Sequence, residues 1–519
     1  MLPTSVRSGT ATIGLALAVL GAVWATGVLG LVPRGVAFGA SVALIIATLA
    51  LGFRRRWLDR PTSKKVARLG IPVILAMVSQ NAVNVVDTAF VGWLESDVAL
   101  AGVAAIGVSL PVFWLVGGFL SAIAIGTQAL SARRHGEADD EGAGRTLMSA
   151  APIAIVLGVT FSFIGYLALP KVLPFFNDNP AVIEQGLAFA RIRYIGISSM
   201  VITAAYKAFF DGTGQTHVHM VAAIVMNVIN LILCWGLIFG NLGMPRLEVA
   251  GAAWASTISS LIGTAVMIFW SMGKKTRARF KLYRKGAFEW SLVSRIVRLS
   301  LPSGVATVIG MLGFLMFHKA VGAVDALESS GLPVNASATA VIQQIVLLVF
   351  LVSFAYATAT ATLVSQSMGA GNHEAAARYA WDSAKVGTLV MAAITTPLFL
   401  YPDLVLGLFI KQSALGEAGK SLAIDAGVGP LRLIAAASVA ITAAVVFTQS
   451  LYGAGNTRFV MVVELVLHLT CLVPLAWLFG VYLEGGLMGV WAAAGLYVVL
   501  LAVVMGAKFA TGSWKTIKL

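Results

Sequence analysis

Residues 71–94 read IPVILAMVSQNAVNVVDTAFVGWL. The run is long and apolar enough to cross a bilayer, which takes about 20 residues at 1.5 Å each. Asp87 sits inside it. An ionisable group at that depth costs a few kcal/mol even on lenient insertion scales, so such residues face a bundle interior or a wet cavity and mark ion or substrate paths. Gln80 and Asn84 precede Asp87 by seven and three residues, which places all three on one helix face. Pro72 opens the same run.

The rest of the chain has the same character. Of 519 residues, 59% are hydrophobic and 11% charged, where a soluble domain carries roughly a quarter charged residues. The apolar segments lack the period-2 alternation of barrel strands. The net charge of +14 is not a nucleic-acid signature, because the cations cluster in short loops. One cluster runs from Arg54 to Arg68 and another from Lys274 to Arg298, whereas alternate loops carry Glu95, Asp97, Asp178, Glu184, Asp325, Glu328 and Glu484. This asymmetry puts the basic loops and both termini in the cytoplasm, where the cations also suit anionic lipid heads. Cys234 and Cys471 lie within apolar spans and do not form a disulfide framework.

Hydropathy gives an N-terminal hairpin (12–32, 36–53) and twelve further spans. Four segments follow: 1–68, the hairpin with a basic stretch; 69–273, six spans; 274–298, a basic linker; and 299–519, six more spans. The two blocks of six repeat each other. GIPV at 70–73 is echoed by SLPS at 300–303. HGEADDEGAGR (135–145) matches MGAGNHEAAAR (368–378), and DGTGQT (211–216) matches YGAGNT (452–457). An even number of spans per repeat makes the repeats parallel, with transport sites expected at or beside their interface. The predicted fold is an all-α membrane protein with two parallel six-helix repeats around a central cleft, plus the hairpin. The Gly-rich loops lack a preceding strand and a P-loop lysine, so they read as tight turns rather than nucleotide sites.

NVVDTAFVGWL, GAGNHEAAARYA, the GTGQT and GAGNT loops, MNVINLILCWGLIFG and VAGAAWASTIS together resemble the multidrug and toxic compound extrusion (MATE) family. The resemblance covers residues 69–510. It implies two six-helix lobes and a cation-coupled antiporter, not an enzyme, exporting organic and often cationic compounds without a cofactor. It also implies that Asp87 is the coupling acid, that Pro72 bends the first helix and that Asn230 lies near Asp87. The chain departs from many relatives at Cys234, where they carry an aspartate, and near Gly310 and Ile441, where one branch carries acids. A thiol is a poor sodium ligand. The expectation is therefore H+ coupling, with Na+ at Asp87 and Asn230 as the alternative and no other metal. Asn84, Asn227 and Asn230 complete the expected cation or proton site.

Glu464 and His468, one turn apart, form a second candidate proton site. An offset of 241 places His468 on Asn227 and Cys471 on Asn230. Gln80, Tyr194, Gln343 and Gln344 are candidates for the substrate cleft. Arg191 and Arg193 read as interfacial anchors, with Arg193 also able to line the cleft. A monomer in the bacterial inner membrane handling small organic substrates is the expected form. A lipid-linked saccharide flippase of the same superfamily is the competing function, and a membrane-embedded lipid-modifying enzyme a weaker one.

Overall fold

The computed structural model describes residues 4–94, 96–175, 179–327, 333–410 and 412–519, without the side chains of 4–8, 83, 84, 96–100 and 412–415. Asn84, a candidate ligand, thus has its side chain outside the described residues, as do the loop acids Glu95, Asp97, Asp178 and Glu328.

Among the described residues, fourteen helices are long and apolar enough to cross a membrane. Two form the hairpin, Gly9–Val28 and Arg34–Arg54. The twelve that follow are spans 1–12: Arg60–Val91, Ala101–Gly136, Asp140–Phe175, Pro180–Gly212, Thr216–Phe239, Glu248–Met272, Trp290–Leu327, Val334–Gly369, His373–Leu400, Gly416–Ala454, Thr457–Tyr482 and Gly486–Thr511. The chain is a multi-pass membrane protein.

Spans 1 and 7 start at Arg60 and Trp290, well before their apolar runs, because basic turns extend each helix past the hydrocarbon. Each then meets an internal proline, Pro72 or Pro302, twelve residues after its start. Proline has no N–H for the preceding turn and weakens the helix there. Much of the basic linker is ordered too. It contains the helix Lys274–Phe280, and Phe280 and Leu282 pack with Leu147 and Phe209. Arg279 donates to Asp140 (2.8 Å), Arg145 to Glu289 (2.8 Å), and Lys281 to Glu141.

The chain divides into two compact units. One comprises Met1–Arg68, Ile309–Val364 and His373–Ile517; the other comprises Leu69–Val308, Ser365–Asn372 and Lys518–Leu519. In the first unit the hairpin packs on span 9, where Ile13, Leu20 and Trp24 share a core with Leu389, Ala392 and Leu400. Polar contacts fasten the segment that follows the hairpin: the Asp59 N–H donates to Asp382 (3.2 Å), and Lys385 Nζ to the Trp57 carbonyl (3.5 Å). At the other end Arg34 pairs with Asp403 (3.2 Å).

The duplication is visible bond by bond. In the first GxGxT turn, Gly214 N–H donates to Asp211 O (3.1 Å) and Gln215 N–H to Phe210 O (2.7 Å). In the second, Gly455 N–H donates to Tyr452 O (2.9 Å) and Asn456 N–H to Leu451 O (2.8 Å). Gly214 and Gly455 hold φ of 76° and 90°, a region that disfavours a side chain. The loops after spans 2 and 8 repeat likewise: Glu137, Ala138 and Asp139 donate to Arg133, His135 and Arg134, while Ala370, Gly371 and Asn372 donate to Gln366, Met368 and Ser367. Within the second unit these two loops also meet. A Cβ on Gly136 would lie 2.0 Å from Gln366 O, and one on Gly369 would lie 2.1 Å from Arg133 O. Since 133 pairs with 366 and 136 with 369 at one offset of 233, the contact has local two-fold symmetry.

Candidate functional site

Close packing of spans 5 and 6 builds the site. Gly251 opens the approach, because a Cβ there would lie 2.5 Å from Leu237 O. Span 6 then presents Ser256 beside Asn230 and Cys234, which share one face of span 5 at a four-residue spacing. Asp87 reaches this group from the last turns of span 1.

Three neutral donors converge on the carboxylate. Ser256 Oγ donates to Oδ2 at 2.7 Å, and Cys234 Sγ to Oδ1 at 3.0 Å. The Asn230 amide, oriented so that both of its polar atoms are satisfied, donates to Oδ1 at 2.8 Å and turns its oxygen to Ser256 at 3.3 Å. Cys234 and Asn230 are buried. Val91, Leu94, Ile106, Phe189 and Val249 form an apolar cluster with Cys234. A fixed cation also acts here: Arg193, from span 4, lies within electrostatic reach of Asp87 while its guanidinium stacks 4.5 Å from the Phe113 ring centre.

The remaining sequence candidates separate from this centre. Asn227 does not reach the carboxylate; its Nδ2 donates to Ser79 Oγ (2.7 Å), which donates to Ala76 O (2.9 Å). The Asn227 Oδ1 and Gln80 Oε1 atoms are buried with no partner among the described residues. Gln80 and Asp87 are seven residues apart, about 10 Å along the helix, so Asn227, Ser79 and Gln80 form a second polar level deeper in span 1. Tyr194, expected in the cleft, is buried in a core cluster; its hydroxyl donates to Val112 O at 3.1 Å, and its ring occupies the space over Gly165. Gln343 hydrogen-bonds His318, and Gln344 is exposed.

Glu464 and His468, the second candidate proton site, meet through the Glu464 backbone carbonyl rather than through its carboxylate. His468 Nδ1 bonds the Glu464 backbone carbonyl at 2.7 Å and lies 3.4 Å from the Tyr497 hydroxyl. A carbonyl only accepts, so Nδ1 carries the proton. The ring fills the notch at Gly313, where a Cβ would lie 2.5 Å from Cδ2. Residues 468–472 form a π-helical turn, which turns the following residues away from the face that a simple α-helical offset assigns to them.

The sequence reading passed over Ser256, although it lies inside VAGAAWASTIS, five residues after Gly251. Cys234 registered there only as a missing acid; in the structure its thiol is a donor to Asp87.

Two like six-span repeats, with a partly buried carboxylate in the first span of one, define a multi-pass membrane transporter. The MatE family model matches residues 72–236 and 315–478, one match per repeat and more than half of the chain. The chain belongs to the MatE family of transporters. It is 24% identical over 459 residues to the probable multidrug resistance protein NorM of Thermotoga maritima, covering 87% of this chain and 93% of that protein. It is 23% identical over 354 residues to the multidrug resistance protein PmpM of Pseudomonas aeruginosa, covering 68% and 71%. An outward-facing multidrug resistance MATE family transporter of the MOP superfamily superposes with a TM-score of 0.78 at 21% identity, over 87% of this chain and 97% of that one. A MOP superfamily transporter from Pyrococcus furiosus, described as having a binding pocket of reverse polarity, gives 0.78 at 20% identity over 88% and 97%. These likenesses establish the fold.

Proposed function

We propose that the protein is an antiporter that exports small organic compounds, cationic or amphipathic, in exchange for protons taken up at Asp87. It acts as a monomer in the bacterial inner membrane with both termini in the cytoplasm. The relatives' designation as multidrug resistance proteins supports the substrate class. The observation that carries proton coupling is the set of groups on Asp87: a hydroxyl, an amide and a thiol all donate to it. Sodium asks for several hard oxygen ligands, and a thiol is a poor one. Arg193 supplies a permanent positive charge nearby, which repels a metal cation and leaves a transferred proton as the simpler partner.

The donor set also couples protonation to shape. A protonated carboxyl carries its own O–H, which needs an acceptor where the carboxylate faced only donors. One of the three donors must then turn away, and Ser256, whose hydroxyl can donate or accept, is best suited to reverse. The links from span 1 to spans 5 and 6 thus differ between the two protonation states. Coupling requires that difference, because an ion shifts a two-state equilibrium only through unequal affinity for the states. Proton entry from outside releases the compound outward; proton loss to the cytoplasm restores the site for another.

The test is efflux of a fluorescent cationic dye from proteoliposomes, driven by an imposed proton gradient or an imposed sodium gradient. Proton-driven efflux that Asp87→Asn abolishes supports the proposal. Efflux driven by sodium alone overturns proton coupling. No dye movement under either gradient favours the lipid-linked saccharide flippase.

A further inference from the structure

Within the first unit, a cavity of about 250 Å³ lies between the hairpin and spans 9 and 10, lined by Leu17, Gly21, Trp24, Phe399, Ala436 and Val439. Its lining is predominantly apolar, with Trp24 Nε1 buried and unpartnered among the described residues, and it opens sideways, since Gly21 and Ala436 on its wall are exposed. Trp24 and Phe399 stack at its back with ring centres 4.6 Å apart. Pockets for drug-sized ligands run to about 300–1,000 Å³ and carry several polar groups. This one is smaller, is lined mostly by hydrocarbon and opens on the side of a membrane-spanning helix pair, so it suits part of an acyl chain.

The charges above it are of matching sign. Arg432 lies one helical turn before Ala436, and its Nε donates to the carbonyl of Phe399, a cavity residue, at 3.3 Å. Arg34 opens the second hairpin helix and pairs with Asp403 at 3.2 Å, with both side chains about half exposed. Arg432, Arg34 and Asp403 interact electrostatically. Two cations therefore meet one carboxylate at the mouth, leaving one positive charge over. This end of the hairpin is opposite the basic residues 54–68, so the charge rule assigns it to the outer face.

We propose that this is a binding site for an anionic phospholipid of the outer leaflet, with one acyl chain in the cavity beside Gly21 and the phosphate between Arg34 and Arg432. Arginine suits a phosphate through paired N–H donors. The bound lipid would fill the gap between hairpin and core, giving the two extra helices a role independent of the coupling site.

Native mass spectrometry of the delipidated full chain tests this with dioleoyl phosphatidylglycerol, dioleoyl phosphatidylcholine or inorganic phosphate. Gly21→Phe places a ring at the cavity wall, where its Cβ meets nothing within 4 Å; Arg432→Gln removes a headgroup cation. The expected result is one tightly held phosphatidylglycerol, bound at least tenfold more strongly than phosphatidylcholine and weakened at least tenfold by either variant. Arg54→Gln, at the cytoplasmic basic cluster, should leave that lipid in place. Equal retention of the two lipids, or retention of phosphatidylglycerol by Gly21→Phe, overturns the site. Inorganic phosphate that displaces the lipid at equal concentration would overturn the acyl-chain half, leaving only an anion site.

Discussion

Spans 5 and 11 start from matching GxGxT turns, yet they use their polar residues differently. Span 5 is an unbroken α-helix of 24 residues, and its Asn230 and Cys234 reach across to Asp87 while Asn227 reaches Ser79. Span 11 has 26 residues and is interrupted by two π-helical turns. Each π-turn closes over one more residue than an α-turn, which accounts for the two additional residues. Its histidine bonds the backbone of its own helix and the Tyr497 hydroxyl of span 12 rather than a carboxylate. Packing demands keep the turns and their glycines alike in both repeats, whereas the span between turn and loop is free to diverge. Only the first repeat has placed a carboxylate against its span 5.

The largest effect that sharpens this contrast is at the carboxylate itself. Asp87→Asn keeps the side-chain volume and removes the titrating group, so proton-driven dye efflux in proteoliposomes should fall to the level of empty liposomes. The binding of dye to the detergent-solubilised variant should survive. Retained proton-driven efflux would move the coupling site elsewhere and break the comparison.

Cys234→Asp is the converse change. It adds a second carboxylate beside Asp87 and Asn230, converting a donor into a hard oxygen ligand. Thermal unfolding in sodium or choline chloride reads the result. Sodium at a hundred times its Kd would stabilise the variant by about 2.7 kcal/mol, while the wild type should unfold at the same temperature in both salts. A wild-type chain stabilised by sodium to the same extent would show that the thiol is no barrier to the ion.

The reciprocal glycine contact makes a quantitative demand on the duplication. Gly136→Ala and Gly369→Ala each push a Cβ into a backbone carbonyl, at 2.0 and 2.1 Å. Overpacking of that kind costs roughly 1–3 kcal/mol. Equal losses of thermal stability in the two variants are expected, since the contacts are related by the local two-fold. A large loss in only one would mean that the local symmetry is geometric but not energetic.

These contrasts also show what a sequence can carry. The spans, the duplication and the family were legible because hydropathy, charge asymmetry and glycine turns are local and repeat at near-constant offsets. Asp87 was legible because an acid in an apolar run has few uses. Ser256 was not, because serine is common in small-residue helices and its role depends on the approach that Gly251 permits. Arg193 read as an interfacial anchor because its position along span 4 shows its depth but not which ring it stacks on. The match of Cys471 to Asn230 rested on a fixed offset, and the π-turn at 468–472 breaks that register. A single extra residue absorbed inside a helix leaves hydropathy unchanged while rotating everything after it.

The smallest effects should come from the second repeat. His468 is 7% exposed, seated on Gly313 and bonded to the Glu464 carbonyl, so its part is packing. His468→Phe keeps a ring in that notch and loses the side-chain hydrogen bonds, a cost of about 0.5–1.5 kcal/mol each that thermal unfolding would register. Proton-driven efflux should keep its wild-type pH profile, because the ring's Nδ1 is held by a backbone carbonyl rather than by a carboxylate. Glu464→Gln should leave efflux unchanged as well: among the described residues its carboxylate forms no ion pair, and its only link to His468 is through the backbone, which the substitution retains. A shifted pH profile in either variant, without a matching loss of stability, would make span 11 a second coupling element and erase the asymmetry between the repeats.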